Sequence, residues 1–135
     1  MRTPRHPRPQ RVRGFALLEV LIAFLIFAFG VLGFVGLQVQ MVKAQTSAKF
    51  RGDAAVLASE LTGSMWTDIA NLTQYTAANC AGHARCNDWT NKVATTLPNG
   101  AATVTVAAGV VSITITWSAP GEGQHNYVTA SAIQG

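Results

Sequence analysis

Gly14-Phe15-Ala16-Leu17-Leu18-Glu19-Val20, with the apolar run that continues to Leu37, decides how the chain is built. From Phe15 to Leu37 the side chains are apolar or absent, with one exception, the carboxylate of Glu19. A helix of this length spans roughly 35 Å at about 1.5 Å per residue, enough to cross a hydrocarbon layer about 30 Å thick. A lone carboxylate in such a segment costs about 2.5–3.5 kcal/mol even on lenient insertion scales, so it calls for a partner. Cleavage after Gly14 would supply one, because the new α-ammonium of Phe15 lies four residues before Glu19, on the same helix face. A neighbouring subunit's terminal amine would serve equally.

Ahead of this segment, Arg2, Arg5, Arg8, Arg11 and Arg13 stand among Pro4, Pro7 and Pro9 without an acid. The prolines disfavour a helix there. The arginines hold the N-terminus on the cytoplasmic side. Once residues 1–14 are set aside, five bases (Lys43, Lys49, Arg51, Arg85, Lys92) face six acids (Glu19, Asp53, Glu60, Asp68, Asp88, Glu122). The pI near 9.6 is therefore a topology signal and no nucleic-acid footprint, and no nucleic-acid partner is expected.

Behind the segment the helical period persists. Met41, Ala44, Ala48, Leu57, Leu61, Met65, Ile69 and Leu72 recur at three- and four-residue spacing, which predicts one helix from Phe15 to about Asn71 with this stripe as core. Gly30, Gly33 and Gly36 weaken it or let it bend, and they also allow helices to approach closely in lipid. Trp89, Val93 and Leu97 predict a short helix over 87–97 started by Asp88, and Pro98-Asn99-Gly100 stops it. Alternation then predicts strands at Val104–Val106, Val111–Trp117 and Asn126–Ile133, joined at Ala108-Gly109 and at Pro120–Gly123. In the last strand Val128, Ala130 and Ala132 compete with Tyr127 and Ile133 for the inward face. The expectation is α+β: a long N-terminal helix packed on a small antiparallel sheet of three or four strands.

The domain order expected is 1–14 leader, 15–37 membrane half of the helix, 38–75 amphipathic outer half, and 76–135 head. A head of some sixty residues buries little apolar surface and needs a staple. Cys80 and Cys86 lie on the oxidising side of the membrane, where a disulfide is expected. A metal site using Cys80, His83 and Cys86 competes, although three ligands at that spacing match no structural zinc pattern. His83 reads more simply as a solvated loop histidine. No cofactor is called for. No enzyme is expected either, since His83 and His125 fall in loops without a nucleophile motif. The Asn71-Leu72-Thr73 sequon reads as chance.

The basic leader, Gly14-Phe15 and Glu19 four residues beyond Phe15 resemble the class III signal of type IV prepilins and secretion pseudopilins. That resemblance implies cleavage between Gly14 and Phe15 by a prepilin peptidase, N-methylation of Phe15, and a role for Glu19 in subunit assembly. Val31-Leu32-Gly33-Phe34-Val35-Gly36-Leu37-Gln38, Ala58-Ser59-Glu60-Leu61, the cysteine pair, Asp88-Trp89, Leu97-Pro98-Asn99-Gly100 and Ile115-Thr116-Trp117 are similar in order to a minor-pilin branch, the type IV pilus modification protein V. The departure is Trp66-Thr67-Asp68, where that branch carries arginines. What this implies is a minor pilin with an inner-membrane stage (N-terminus cytoplasmic, head periplasmic) and an extracellular pilus stage. Its implied partners are other minor pilins, the major pilin and a tip adhesin. The alternatives are an I-type pseudopilin of type II secretion, a pilin whose head binds DNA or a surface through Trp66 or Tyr75, and a signal-anchored exported protein.

Overall fold

A computed structural model describes residues 13–133, and side chains from residue 15; the expected leader therefore lies almost wholly outside the described residues. Helix α1 runs Arg13–Trp66 and helix α2 Ala84–Thr96. Strands β1 (Ala101–Ala107), β2 (Val110–Ser118) and β3 (Gln124–Ala132) form an antiparallel meander in the order β1-β2-β3. Two short 3-10 segments, Ile69–Tyr75 and Cys80–Gly82, join the helices. This is the expected α+β, pilin-like architecture with three strands. The chain divides into two compact units, residues 1–44 and 45–135, and α1 continues through the division.

In the first unit the helix is apolar on every side, and Phe15, Leu21, Phe24, Phe27, Leu32 and Phe34 are each more than 60% exposed. No proline interrupts it, and the helix passes through Gly30, Gly33 and Gly36.

In the second unit Ala54, Leu57, Ala58, Leu61 and Met65 of α1 are buried with Trp89 and Val93 of α2 and with Val111, Ile113, Ile115 and Trp117 of β2. The predicted stripe thus holds from Leu57 to Met65, with Ile69 and Leu72 partly buried, but Met41, Ala44 and Ala48 are exposed. Burial begins near Phe50, and among the described residues nothing covers the spacing upstream of it. Trp89 also pins the helices together, its indole N–H donating to the Leu57 carbonyl at 2.8 Å.

The long helix ends at Trp66, five residues before the expected Asn71. Thr67 and Asp68 fold back onto the Ser64 and Met65 carbonyls, and Asn71 leaves helical dihedrals. The local cause is Asp68, whose carboxylate binds Asn71 and Tyr75 and so competes with the helix ladder. Helix α2 begins at Ala84, before the expected start, with His83 at its N-cap and no side-chain cap. Asp88 therefore sits inside the helix and caps nothing. The stapled Cys86, fully buried, replaces the cap as the anchor of the first turn.

Proline turns place the strands. In Leu97-Pro98-Asn99-Gly100 the Gly100 N–H returns to the Leu97 carbonyl at 3.0 Å, with Asn99 at φ 51°. In Ala119-Pro120-Gly121-Glu122 the same bond forms at 3.0 Å, with Gly121 at φ 77°. Both are type II turns, which need φ > 0 at the third residue. Between β1 and β2, Ala108 (φ 49°) and Gly109 (φ 75°) form the two-residue turn whose two positive φ values suit a hairpin, Ala included. The register Ile115↔Tyr127 settles the last strand: Tyr127 and Ile133 face inward, and Val128 is 56% exposed.

Candidate assembly segment

Phe15 stands 73% exposed in the first turns of α1, and Glu19 is exposed four residues on, beside Leu18 and Ile22. Residues i and i+4 share a helix face, so the backbone nitrogen of Phe15 and the Glu19 carboxylate lie on one side of α1. Among the described residues Glu19 makes no ion pair, and the next base along α1 is Lys43. The segment therefore presents one negative group on a wholly apolar rod. It is the one helix among the described residues long and apolar enough to cross a membrane.

The chain matches the prokaryotic N-terminal methylation motif over residues 9–35. This span carries the Gly14-Phe15 junction and Glu19, and it supports a pilin-like protein. The motif implies processing by a prepilin peptidase and assembly with other pilins. It also agrees with a membrane-anchored stage before assembly. It is a structural motif, not that of an enzyme. Comparisons with curated proteins and with solved structures gave no match.

The head shows what the spacing alone left open. Cys80 and Cys86 form a disulfide with Cα atoms 5.1 Å apart, so neither thiolate is free for a metal. Among the described residues no cluster of three His, Cys, Asp or Glu side chains could hold a metal ion.

His83 is no solvated loop histidine. Its side chain is only 21% exposed, its ring meets Tyr75 edge-on at 4.7 Å, and its Nε2 lies 3.2 Å from Asp68 Oδ2, close enough for charge attraction but not aligned as a hydrogen bond. Asp68 is the centre of a network the sequence reading missed. It accepts from Asn71 Nδ2 at 2.7 Å and from the Tyr75 hydroxyl at 3.0 Å, with Arg85 Nη1 at 4.0 Å. The Asn71 amide holds the carboxyl below the usual aspartate range. Partial burial opposes this, and Tyr75, Arg85 and His83 reinforce it. Burial pushes the Tyr75 hydroxyl up, and its bond to Asp68 adds to the rise. The available signal was Asp68 with an amide three residues on, the pattern of a local side-chain turn.

Tyr75 is fully buried and cannot be a surface-binding aromatic, whereas Trp66 is 47% exposed. His125 lies in β3 and not in a loop. Its ring stacks on Trp117 at 5.8 Å, and its Nε2 is 3.1 Å from Glu122 Oε2.

Proposed function

We propose that this chain is a minor subunit of a type IV pilus, similar to the type IV pilus modification protein V. Prepilin peptidase removes residues 1–14, and Phe15 becomes the methylated N-terminus. Residues 15–37 hold the subunit in the inner membrane with the head, residues 76–135, outside, and residues 38–75 lead out to it. Extraction into a filament transfers the apolar rod from lipid to the helices of neighbouring pilins. Glu19 sets the axial position by meeting the terminal amine of the adjacent subunit or its own. In the tip complex that primes assembly, the head meets other minor pilins, the major pilin and an adhesin.

One observation carries the reading: a single carboxylate, four residues beyond Phe15, on a helix segment whose apolar side chains have no cover among the described residues. Mass spectrometry of the mature protein is the test. A methylated Phe15 terminus is expected, with uncleaved precursor in Gly14→Val; any other terminus overturns the assignment. Glu19→Ala should leave processing intact and remove the chain from sheared pili. Sheared pili lacking the unmutated chain would instead favour the type II secretion pseudopilin, which shares the same processing chemistry.

A further inference from the structure

Hairpin geometry fixes which backbone groups of the three-stranded sheet face out along its β3 edge. In a two-residue hairpin the flanking pair, Ala107 and Val110, bond to each other. Alternation then turns the backbone of Val111, Ile113, Ile115 and Trp117 toward β3, bonding them to Ser131, Thr129, Tyr127 and His125. Two further bonds obey the same parity: Ser118 N–H to the Pro98 carbonyl on the β1 side, and Ile133 N–H to the Gly109 carbonyl on the β2 side. The backbones of Gln124, Asn126, Val128, Ala130 and Ala132 consequently point away from the sheet. Among the described residues none of these outward groups has a backbone partner.

At the opposite edge the residues whose backbones point outward, Ala102, Val104 and Val106, turn their side chains to the core face. Val104, in the middle of β1, is only 4% exposed, and β1 lies beside the Ile69–Tyr75 segment. On β3 every outward-pointing residue is exposed, Val128 to 56%.

Natural sheets blunt a free edge with charge, proline, a bulge or brevity. β3 uses none of these: it has nine residues in unbroken register and contains no Pro, Gly, Lys, Arg, Asp or Glu. We propose that this edge accepts an extended, uncharged segment of another protein chain as the fourth strand of the sheet.

The occupant's chemistry follows from what it would cover. Beyond His125, which already faces Glu122, its inward side chains would lie beside half-buried Tyr127, Thr129 and Ser131, where a charge would lose water and gain no partner. Its outward side chains would flank Gln124, Asn126, Val128 and Ala130, again a row without charge. Small apolar and hydroxyl residues in alternation satisfy both rows, and the main chain supplies the affinity. The proposal does not rest on the pilus reading.

The test uses the full chain, 15N-labelled in detergent micelles, with a capped nine-residue peptide of alternating Thr and Val as probe. Amide exchange is followed by NMR. Saturating probe should slow exchange of the Asn126, Val128 and Ala130 amides by roughly tenfold or more. A probe N-methylated at alternate amides should not, and Val110→Lys, on the same outer face but in the central strand, should leave the slowing unchanged. Val128→Pro should abolish binding while keeping the β2–β3 ladder, because that N–H lies outside it. No slowing at saturation, or equal slowing with the methylated probe, overturns the proposal. So does slow exchange of these amides in probe-free chain that sediments as a dimer, which would assign the edge to a second copy.

Discussion

Removing the Cys80–Cys86 staple should cost the head a large part of its stability. The bridge closes a short loop, with a sequence separation of 6, and it joins the 3-10 segment Cys80–Gly82 to the first turn of α2. In the chain-entropy account a loop of this size stabilises by about 2.4 kcal/mol at 25 °C. Replacing Cys86, which is fully buried, with Ala also removes a packed sulfur. That adds roughly 0.5–1 kcal/mol by analogy with small core truncations. For a domain of this size about 3 kcal/mol corresponds to a fall in Tm of roughly 10–20 °C. The assay is thermal melting of the full chain in detergent, followed by near-ultraviolet circular dichroism. Trp89 and Trp117 lie in the head core and report its packing, while the apolar half of α1 carries no Trp or Tyr. The unmutated chain with and without dithiothreitol separates the loop contribution from the lost sulfur. If the reduced chain melted within about 3 °C of the oxidised one, constraint of the unfolded loop would not be what holds the head together.

Gly100→Ala should destabilise by roughly 1–3 kcal/mol in denaturant titration, because strain of this size follows overpacking. An added Cβ would lie 2.5 Å from the Val93 carbonyl and 3.0 Å from the Leu97 carbonyl, both backbone atoms that cannot swing aside. Trp89→Phe should cost about 0.5–1.5 kcal/mol, the net worth of the indole bond to Leu57, and Trp89→Ala about 3–5 kcal/mol; no loss in Trp89→Phe would show that the bond contributes nothing. Because Asp68 has its pKa lowered by folding, its contribution is present above the ordinary aspartate value and lost as pH falls through the folded one. Melting temperature should accordingly drop in acid, and Asp68→Asn should flatten that drop. Tyr75 runs the other way: its raised pKa gives stability that is present below the ordinary tyrosine value and is lost as pH climbs through the folded one. Tyr75→Phe should therefore resist alkaline unfolding better than the unmutated chain.

The sequence disclosed most where a residue's role is set by its near neighbours. The alternation of Val111, Ile113, Ile115 and Trp117 needed no partner to be read, and both proline turns carry their own chemistry in Pro-Asn-Gly and Pro-Gly. It disclosed least where the deciding contact comes from elsewhere. Met41, Ala44 and Ala48 have the spacing of a core stripe, but periodicity cannot say whether anything covers it, and among the described residues nothing does. The end of α1 was missed because neither Gly nor Pro marks it. Asp68 stops the helix by binding Asn71 and Tyr75, and the second of these is seven residues away. The start of α2 was missed for a related reason, since His83 at the N-cap makes no side-chain cap and a disulfide at Cys86 holds the first turn instead. The ambiguous face of β3 was resolved only by its register with β2.

The exposed half of α1 limits what the chain can be more tightly than any single site does. Side chains from Phe15 to Val42 include five phenylalanines and a dense run of Leu, Ile and Val, most about half to three-quarters exposed. Each large aliphatic or aromatic residue moved out of water is worth about 1.5–3 kcal/mol, so the segment as a whole represents tens of kcal/mol. A domain of this size is stable by about 5–15 kcal/mol, so the head cannot hold such a rod in water. Some other apolar medium must cover it, and the proposed function supplies two, first lipid and then the helices of other chains. In either medium Glu19 remains the one group whose cost, about 2.5–3.5 kcal/mol, depends on where the neighbouring positive charge lies. Sliding the rod along its neighbours changes apolar burial little and the carboxylate's pairing a great deal. On the proposed pilin reading the apolar surface supplies the adhesion, and the single acid supplies the register. Glu19→Gln should keep the chain in the membrane while blurring its position among neighbours, which cysteine cross-linking along Leu17–Leu25 would reveal as a spread of products in place of one.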